Sequence, residues 1–279
     1  MMGETRMEDR VTVTMSEGVA DVRLVRADKM NALDSAMFDA LVATCDRLTH
    51  EQGLRAVVLS GEGRAFCAGL DMASFGRMAD TPPDQPKGTG VVDRPLTDRT
   101  HGLANAAQQV AMVWRDIPVP VIAAVHGVAF GGGLQIALGA DLRYVTADLK
   151  MSVMEIKWGL VPDMAGVLLM RELVRADLVR ELTYSGRVVS GTEAVAIGLA
   201  TRVCADPLAD ALALANEIAG RSPDAIRAGK RLMNLASVGT AAEVLLAESV
   251  EQQALMGSPN QAEAVRANVE KRPPQFRDS

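Results

Sequence analysis

Two acids, Glu155 and Asp163, stand eight residues apart in an apolar neighbourhood, downstream of three consecutive glycines, Gly131, Gly132 and Gly133. The glycines separate an apolar run, Val121 to Val125, from Leu134-Gln135-Ile136-Ala137-Leu138, which reads as a helix. A glycine-rich strand-to-helix junction leaves backbone N–H groups without partners, and the helix dipole favours negative charge above them. Amides that stabilise an anion, with carboxylates nearby, can move a proton beside a carbonyl group. In an apolar pocket either carboxyl tends toward a raised pKa, which suits a proton shuttle. A plainer reading makes both acids loop or cap residues, with Asp163 capping a helix that starts near Gly166.

The elements that must hold these residues follow from the pattern. Val11–Thr14 and Val19–Leu24 alternate as a hairpin around Ser16-Glu17-Gly18. A helix running to about Glu51, with Asp34 or Ser35 as its cap, places Met37, Leu41, Val42, Cys45 and Leu48 on one face. Arg55–Ser60 is a buried strand. The segment Arg64-Ala65-Phe66-Cys67-Ala68-Gly69-Leu70-Asp71-Met72 then clusters small residues around a glycine, so its backbone can approach a ligand closely; taken alone, a plain loop with a bulge is the readier reading. Residues 76–95, rich in proline and glycine, read as a mobile loop or lid. Leu103–Trp114 is helical, and so are 167–170, 176–184 and 192–197, with a short strand at 201–203. From 208 onward four helices follow, near 208–219, 223–236, 240–256 and 260–270. The fold class is α/β, with a core over 1–206 and an appended helical region over 207–279.

Composition narrows the function. The net charge of −6 and the scarcity of aromatics argue against nucleic acid as the main partner. No apolar run approaches the ~20 residues of a membrane span. The polar N-terminus lacks a signal pattern, so a soluble, cytoplasmic protein is expected. Cys45, Cys67 and Cys204 are scattered, which suggests neither disulfides nor zinc. No metal site is expected; His126 reads as structural, and His50 and His101 belong to no constellation. Nucleophilic catalysis has no motif behind it.

RAFCAGLDM (64–72), followed by VHGVAFGGGLQIALGADLRYVTAD (125–148), resembles the crotonase, or enoyl-CoA hydratase/isomerase, superfamily. RADKMNALD (26–34) and VEKRPPQF (269–276) extend the resemblance over almost the whole chain. It implies a spiral of ββα turns, with a helical C-terminal region that builds trimers, often paired as hexamers. It also implies an acyl-CoA substrate whose thioester oxygen, as it becomes an enolate, is held by the backbone N–H groups of Leu70 and Gly132. Coenzyme A is then part of the substrate, and no separate cofactor is expected. Lys29, Ala68, Asp71 and Met72 match positions along the CoA wall. Lys271 matches a lysine that reaches CoA from its own or a neighbouring subunit. Ala27 stands where the family usually has proline.

The resemblance also frames the reaction. Hydratases of the family use two glutamates; one corresponds to Glu155, but the other falls on Gln135, and an amide neither takes up nor releases a proton near neutral pH. Such an amide can position a water or hydrogen-bond an acid; its place one turn into the helix after the glycines favours the pocket, and Gln135 facing solvent is the plainer alternative. The dienoyl-CoA isomerase branch pairs the same glutamate with an aspartate eight residues on, which here is Asp163, although that branch carries a third acid at the Gln135 position. The expectation is therefore double-bond isomerisation in fatty-acid metabolism, with water addition to a 2-enoyl-CoA, or acyl-CoA binding without chemistry, as the alternatives.

Overall fold

The computed structural model describes residues 4–7, 9–80 and 94–278. The chain opens as an antiparallel meander of Glu4–Met7 (β1), Val11–Ser16 (β2) and Val19–Leu24 (β3). Glu17 and Gly18 turn the β2–β3 hairpin with φ of 49° and 83°. The side chain of Asp34 accepts from Met37 N and starts Ser35–Thr49 (α1), as the cap reading anticipates. Ala56–Gly61 (β4) is buried throughout. Next come Met72–Asp80 (α2), Ala106–Asp116 (α3), Val121–Val125 (β5), Val128–Phe130 (β6) and Gly132–Gly139 (α4). Leu142–Val145 (β7), Lys150–Ser152 (β8), Gly166–Met170 (α5), Ala176–Ser185 (α6), Val189–Ser190 (β9), Gly191–Ala196 (α7) and Arg202–Val203 (β10) complete the core. The C-terminal helices are Pro207–Ala219 (α8), Pro223–Ala236 (α9), Ala241–Leu255 (α10) and Pro259–Glu270 (α11).

Two sheets share the strands. The larger runs β1-β2-β3-β4-β5-β7-β10, parallel from β3 onward; the smaller runs β6-β8-β9. Each turn of chain gives one strand to each sheet and then a helix: β5, β6 and α4, followed by β7, β8 and the α5–α6 pair. A parallel bridge from Cys67 to Ala129 extends the small sheet to the turn after β4. This is the ββα spiral. The two to four residues of β1, β6, β7, β8 and β9 carry no readable periodicity, which is why these strands are absent from the sequence reading.

The segment read as an unstructured loop from Gly76 instead continues α2 to Asp80, and 81–93, where a lid was expected, lie outside the described residues. Residue 207 marks a change of secondary structure but not of packing. Ala211 and Ala215 of α8 are buried against Val58, Ile122, Ala124 and Tyr144 on the outer face of the large sheet. Lys230 of α9 is buried too. Its ammonium donates to Trp114 O (3.0 Å) and Val119 O (2.8 Å) and pairs with Asp141 Oδ2 (3.0 Å), so it pins the helical region to the core. Among the described residues no helix is long and apolar enough to cross a membrane.

The helix that opens at Gly132 is anchored at its far end by a buried cation. The Arg143 guanidinium is 3% exposed and donates to Ala140 O and Leu199 O at 2.9 Å, with longer contacts to Ala137 O and Leu138 O. The carbonyls of Ala137, Leu138 and Ala140 are at the negative end of the α4 dipole. Arg143→Met would leave them unpaired in the core. A loss of about 3 kcal/mol is expected in urea unfolding.

Candidate active site

Leu70 and Gly132, matched to the oxyanion donors, lie on two segments pressed together. Asn31, fully buried, donates to Glu62 O, Ala65 O and Phe66 O and accepts from Arg26 N. It locks the 26–33 segment against the 62–71 segment, a long-range role that its place in the sequence does not announce. Leu33 then bridges both neighbours of Leu70: Leu33 N donates to Gly69 O (2.8 Å), and Asp71 N donates to Leu33 O (3.0 Å). A parallel bridge of this kind turns the amide of Leu70 itself to the opposite side. Gly132 is the first residue of α4, so its N–H has no acceptor within the helix. The two loops touch at Gly69, where an added Cβ would lie 2.5 Å from Phe130 O and 3.6 Å from Gly132 N. Gly69 (φ +86°) thus brings the amide strand of Leu70 against the start of α4.

Both amide-bearing residues line one cavity of about 950 Å³. Its walls also carry Glu155 and Asp163, so the structure gathers the acids and the amide donors that the sequence reading paired. Glu155 opens a single 3-10 turn, Glu155–Trp158, and Asp163 lies in the loop before α5. Asp163 is not the cap of that helix: the N-cap is Ala165, at φ +68° and without a side-chain bond. Burial pushes the Glu155 carboxyl up to about 7; the nearby Asp163 charge adds to the rise, and the bond from Gln135 opposes it. Burial also raises Asp163. Two carboxyls that resist ionisation, in one apolar cavity, fit proton exchange near neutrality.

Gln135 does not line the cavity. It is 2% exposed and sits behind Glu155 and Met164, which corrects the expectation that its side chain faces the pocket or solvent. Its Nε2 donates to Glu155 Oε1 at 2.6 Å. Its Oε1 accepts from Met164 N at 2.9 Å and from Gly166 N at 2.8 Å.

Of the residues matched to the CoA wall, Lys29, Ala68, Asp71 and Met72 all line the cavity. The Asp71 carboxylate is already engaged. It accepts from Ala73 N at the start of α2 and from Arg26 at 2.6 Å, and these bonds hold it below the usual carboxylate range. Lys271 is exposed at the C-cap of α11 and does not line the cavity of its own chain. The sequence reading missed the aromatic wall. Phe75 of α2 stacks on Trp158 at 4.4 Å, both lining the cavity, and nothing short of the tertiary fold brings positions 75 and 158 together. His126 Nε2 contacts Gly63 O at 2.9 Å, a structural placement. The three cysteines are free and buried. Among the described residues no group of three His, Cys, Asp or Glu side chains forms a metal site.

Known proteins resemble the chain in sequence and in fold. The family described as enoyl-CoA hydratase/isomerase matches residues 14–279. A protein of Mycobacterium tuberculosis named "Probable enoyl-CoA hydratase echA6" is 33% identical over 266 residues, covering 95% of this chain and 98% of that protein. The human mitochondrial Delta(3,5)-Delta(2,4)-dienoyl-CoA isomerase is 34% identical over 227 residues, 79% of this chain and 66% of its own length. The crystal structure of an enoyl-CoA hydratase from Polaromonas sp. JS666 superimposes with a TM-score of 0.84 at 26% identity, over 96% of this chain and 99% of that one. Hydratases and an isomerase therefore stand side by side among its relatives, on the same fold. With its ββα spiral, paired amides and half-buried acids, the chain is an enzyme of the enoyl-CoA hydratase/isomerase family.

Proposed function

We propose that this enzyme shifts a double bond along the acyl chain of an enoyl-CoA thioester. The observation that carries the reading is the acid pair: Glu155 and Asp163 share a cavity with the amide-bearing residues, while the third candidate position holds a non-titrating amide behind the wall. The thioester oxygen sits on the N–H groups of Leu70 and Gly132. Glu155, ionised, takes a proton from the carbon beside the thioester, and the electron pair moves onto that oxygen. Asp163, carrying the one proton that the pair holds, returns a proton farther along the chain. The negative charge passes from Glu155 to Asp163, and proton exchange resets the pair. Atoms balance without water or a further cofactor, and the preorganised amides lower the barrier only while charge sits on oxygen.

Feeding 2-enoyl-, 3-enoyl- and 3,5-dienoyl-CoA and weighing the products tests this. An isobaric product is expected, with kcat/KM rising with pH up to about 7 as Glu155 ionises. Gain of one water as the main outcome would sink isomerisation and leave hydration.

The CoA nucleotide end is placed at Lys29, with Ala68 and Met72 along the pantetheine, and Lys271 reaching the CoA of a neighbouring copy. That last role needs an assembly. α10 has no buried residue, and Leu245, Leu246, Val250 and Met256 are exposed along with Met233 and Val238 of the α9 region. An apolar surface of this kind calls for a partner, and trimers of this chain, alone or paired, are the expected one. Light scattering is expected to give a trimeric or hexameric mass, falling to the monomer in Leu246→Glu. A cytoplasmic site of action fits an acyl-CoA substrate in fatty-acid metabolism.

A further inference from the structure

The two acids stand on different elements, yet one side chain reaches both Glu155 and the turn that follows Asp163. We propose that Gln135 is the positioning residue of the proton-transfer site: its carboxamide fixes one oxygen of Glu155 and the turn that follows Asp163, and so assigns proton exchange to Glu155 Oε2. The inference rests on the proton-transfer reading above and deepens it.

The orientation of the carboxamide is determined by its partners. Backbone N–H groups only donate, so the end that meets Met164 N and Gly166 N is the oxygen. The NH₂ end is then turned to Glu155 Oε1 at 2.6 Å, a bond of the strong, charge-assisted length when Glu155 is ionised. That bond keeps Oε1 as the carbonyl-type acceptor, so a proton taken up by Glu155 resides on Oε2. Oε2 is buried and has no hydrogen-bond partner among the described residues.

The other end of Gln135 holds the backbone that follows the second acid. Met164 immediately follows Asp163, and the oxygen of Gln135 supplies the cap that Ala165 lacks at the start of α5. Gly166 is needed for this contact, because a Cβ there would come within 2.7 Å of Gln135 Oε1. Gly131 plays the matching part at Glu155, where an added Cβ would meet Oε1 at 3.1 Å. Room for the three bonds is therefore built into the backbone on both sides.

A glutamate at 135 would keep the acceptor for Met164 and Gly166 but face Glu155 with a second oxygen at hydrogen-bond distance. The two would have to share a proton, as closely placed carboxyls do. Glutamine donates there at every pH, so Glu155 titrates without such a partner. The other charged side chains lining the cavity are Asp28, Lys29, Asp71, Lys157 and Asp163.

Three variants test the assignment, read by kcat, KM, the pH profile of kcat/KM and thermal unfolding. Gln135→Glu is expected to move the acid limb of the profile upward by about one pH unit or more. Gln135→Met is expected to lower kcat about 10-fold or more while KM for the acyl-CoA stays within about threefold, because the acids lose their placement and the CoA wall does not. If Gln135→Met fails to fold, Gln135→Glu decides, since its oxygen retains the bonds to Met164 and Gly166. An unshifted profile in Gln135→Glu, or a folded Gln135→Met with wild-type kcat, overturns the role of Gln135. Glu155→Gln in the same series separates the two ideas. Inactive Glu155→Gln beside unaltered Gln135 variants removes this inference alone, whereas active Glu155→Gln removes the proton-transfer reading beneath it.

Discussion

Glu155→Gln is expected to lower kcat by about 10²–10⁴-fold, the range a positioned general acid–base group contributes. The substitution keeps the shape of the side chain and lets its amide oxygen accept the bond from Gln135, so the cavity should persist. KM should stay within a few fold, because Glu155 is assigned to the acyl carbons and not to the CoA wall proposed at Lys29, Ala68 and Met72. The same variant has a second, opposite signature in stability. The folded protein holds Glu155 at about 7, far above the value of a carboxyl in an unfolded chain. Between those two values the native state keeps a proton that the unfolded chain has released, so this group's contribution falls as pH rises and is most unfavourable above about 7. Removing the titration should leave Glu155→Gln more stable than the parent at pH 8 by about 1–3 kcal/mol, with no such gain at pH 4. Urea unfolding at the two pH values measures this. Loss of turnover in a protein of unimpaired stability assigns the defect to chemistry; a Glu155→Gln enzyme with parental kcat refutes the assignment.

Much of this was legible before any coordinates, and what was not has a common cause. The spacing of Glu155 and Asp163, the three glycines and the small-residue run at 64–72 are local patterns, and each holds its place in the fold. The cap at Asp34 and the four C-terminal helices were equally local, written in residues within one turn of each boundary. The position of Gln135 was not. Its type suggested a lost catalytic acid, but its partners Met164 and Gly166 lie about thirty residues away and offer only backbone, which any sequence possesses. The stack of Phe75 on Trp158 and the loop lock made by Asn31 are of the same kind. Short strands failed differently. Two or three residues of β6, β8 and β9 hold no period to read, and they are strands only because neighbours pair with them.

Gly69→Ala should test the oxyanion side as directly as Glu155→Gln tests the acid side. Two costs meet at this position. Alanine resists φ of +86°, a penalty of about 1 kcal/mol, and its methyl would stand 2.5 Å from Phe130 O, a backbone atom that no rotamer change can move aside. The loop must therefore shift away from the start of α4, and the residue carried with it is Leu70, whose amide is assigned to the thioester oxygen. Removing one such donor typically costs about 10²–10³-fold in kcat, since the bond is strongest when charge has moved onto oxygen. KM should change much less, because the ground-state carbonyl binds the same amides weakly. Gly257→Ala supplies the comparison: it imposes a similar φ of +74°, but its methyl meets nothing within 4 Å and it is remote from the cavity lining. Both variants should lose some thermal stability, while only Gly69→Ala should lose turnover. Equal kcat in the two would mean that strain alone, and not the placement of the Leu70 amide, distinguishes Gly69.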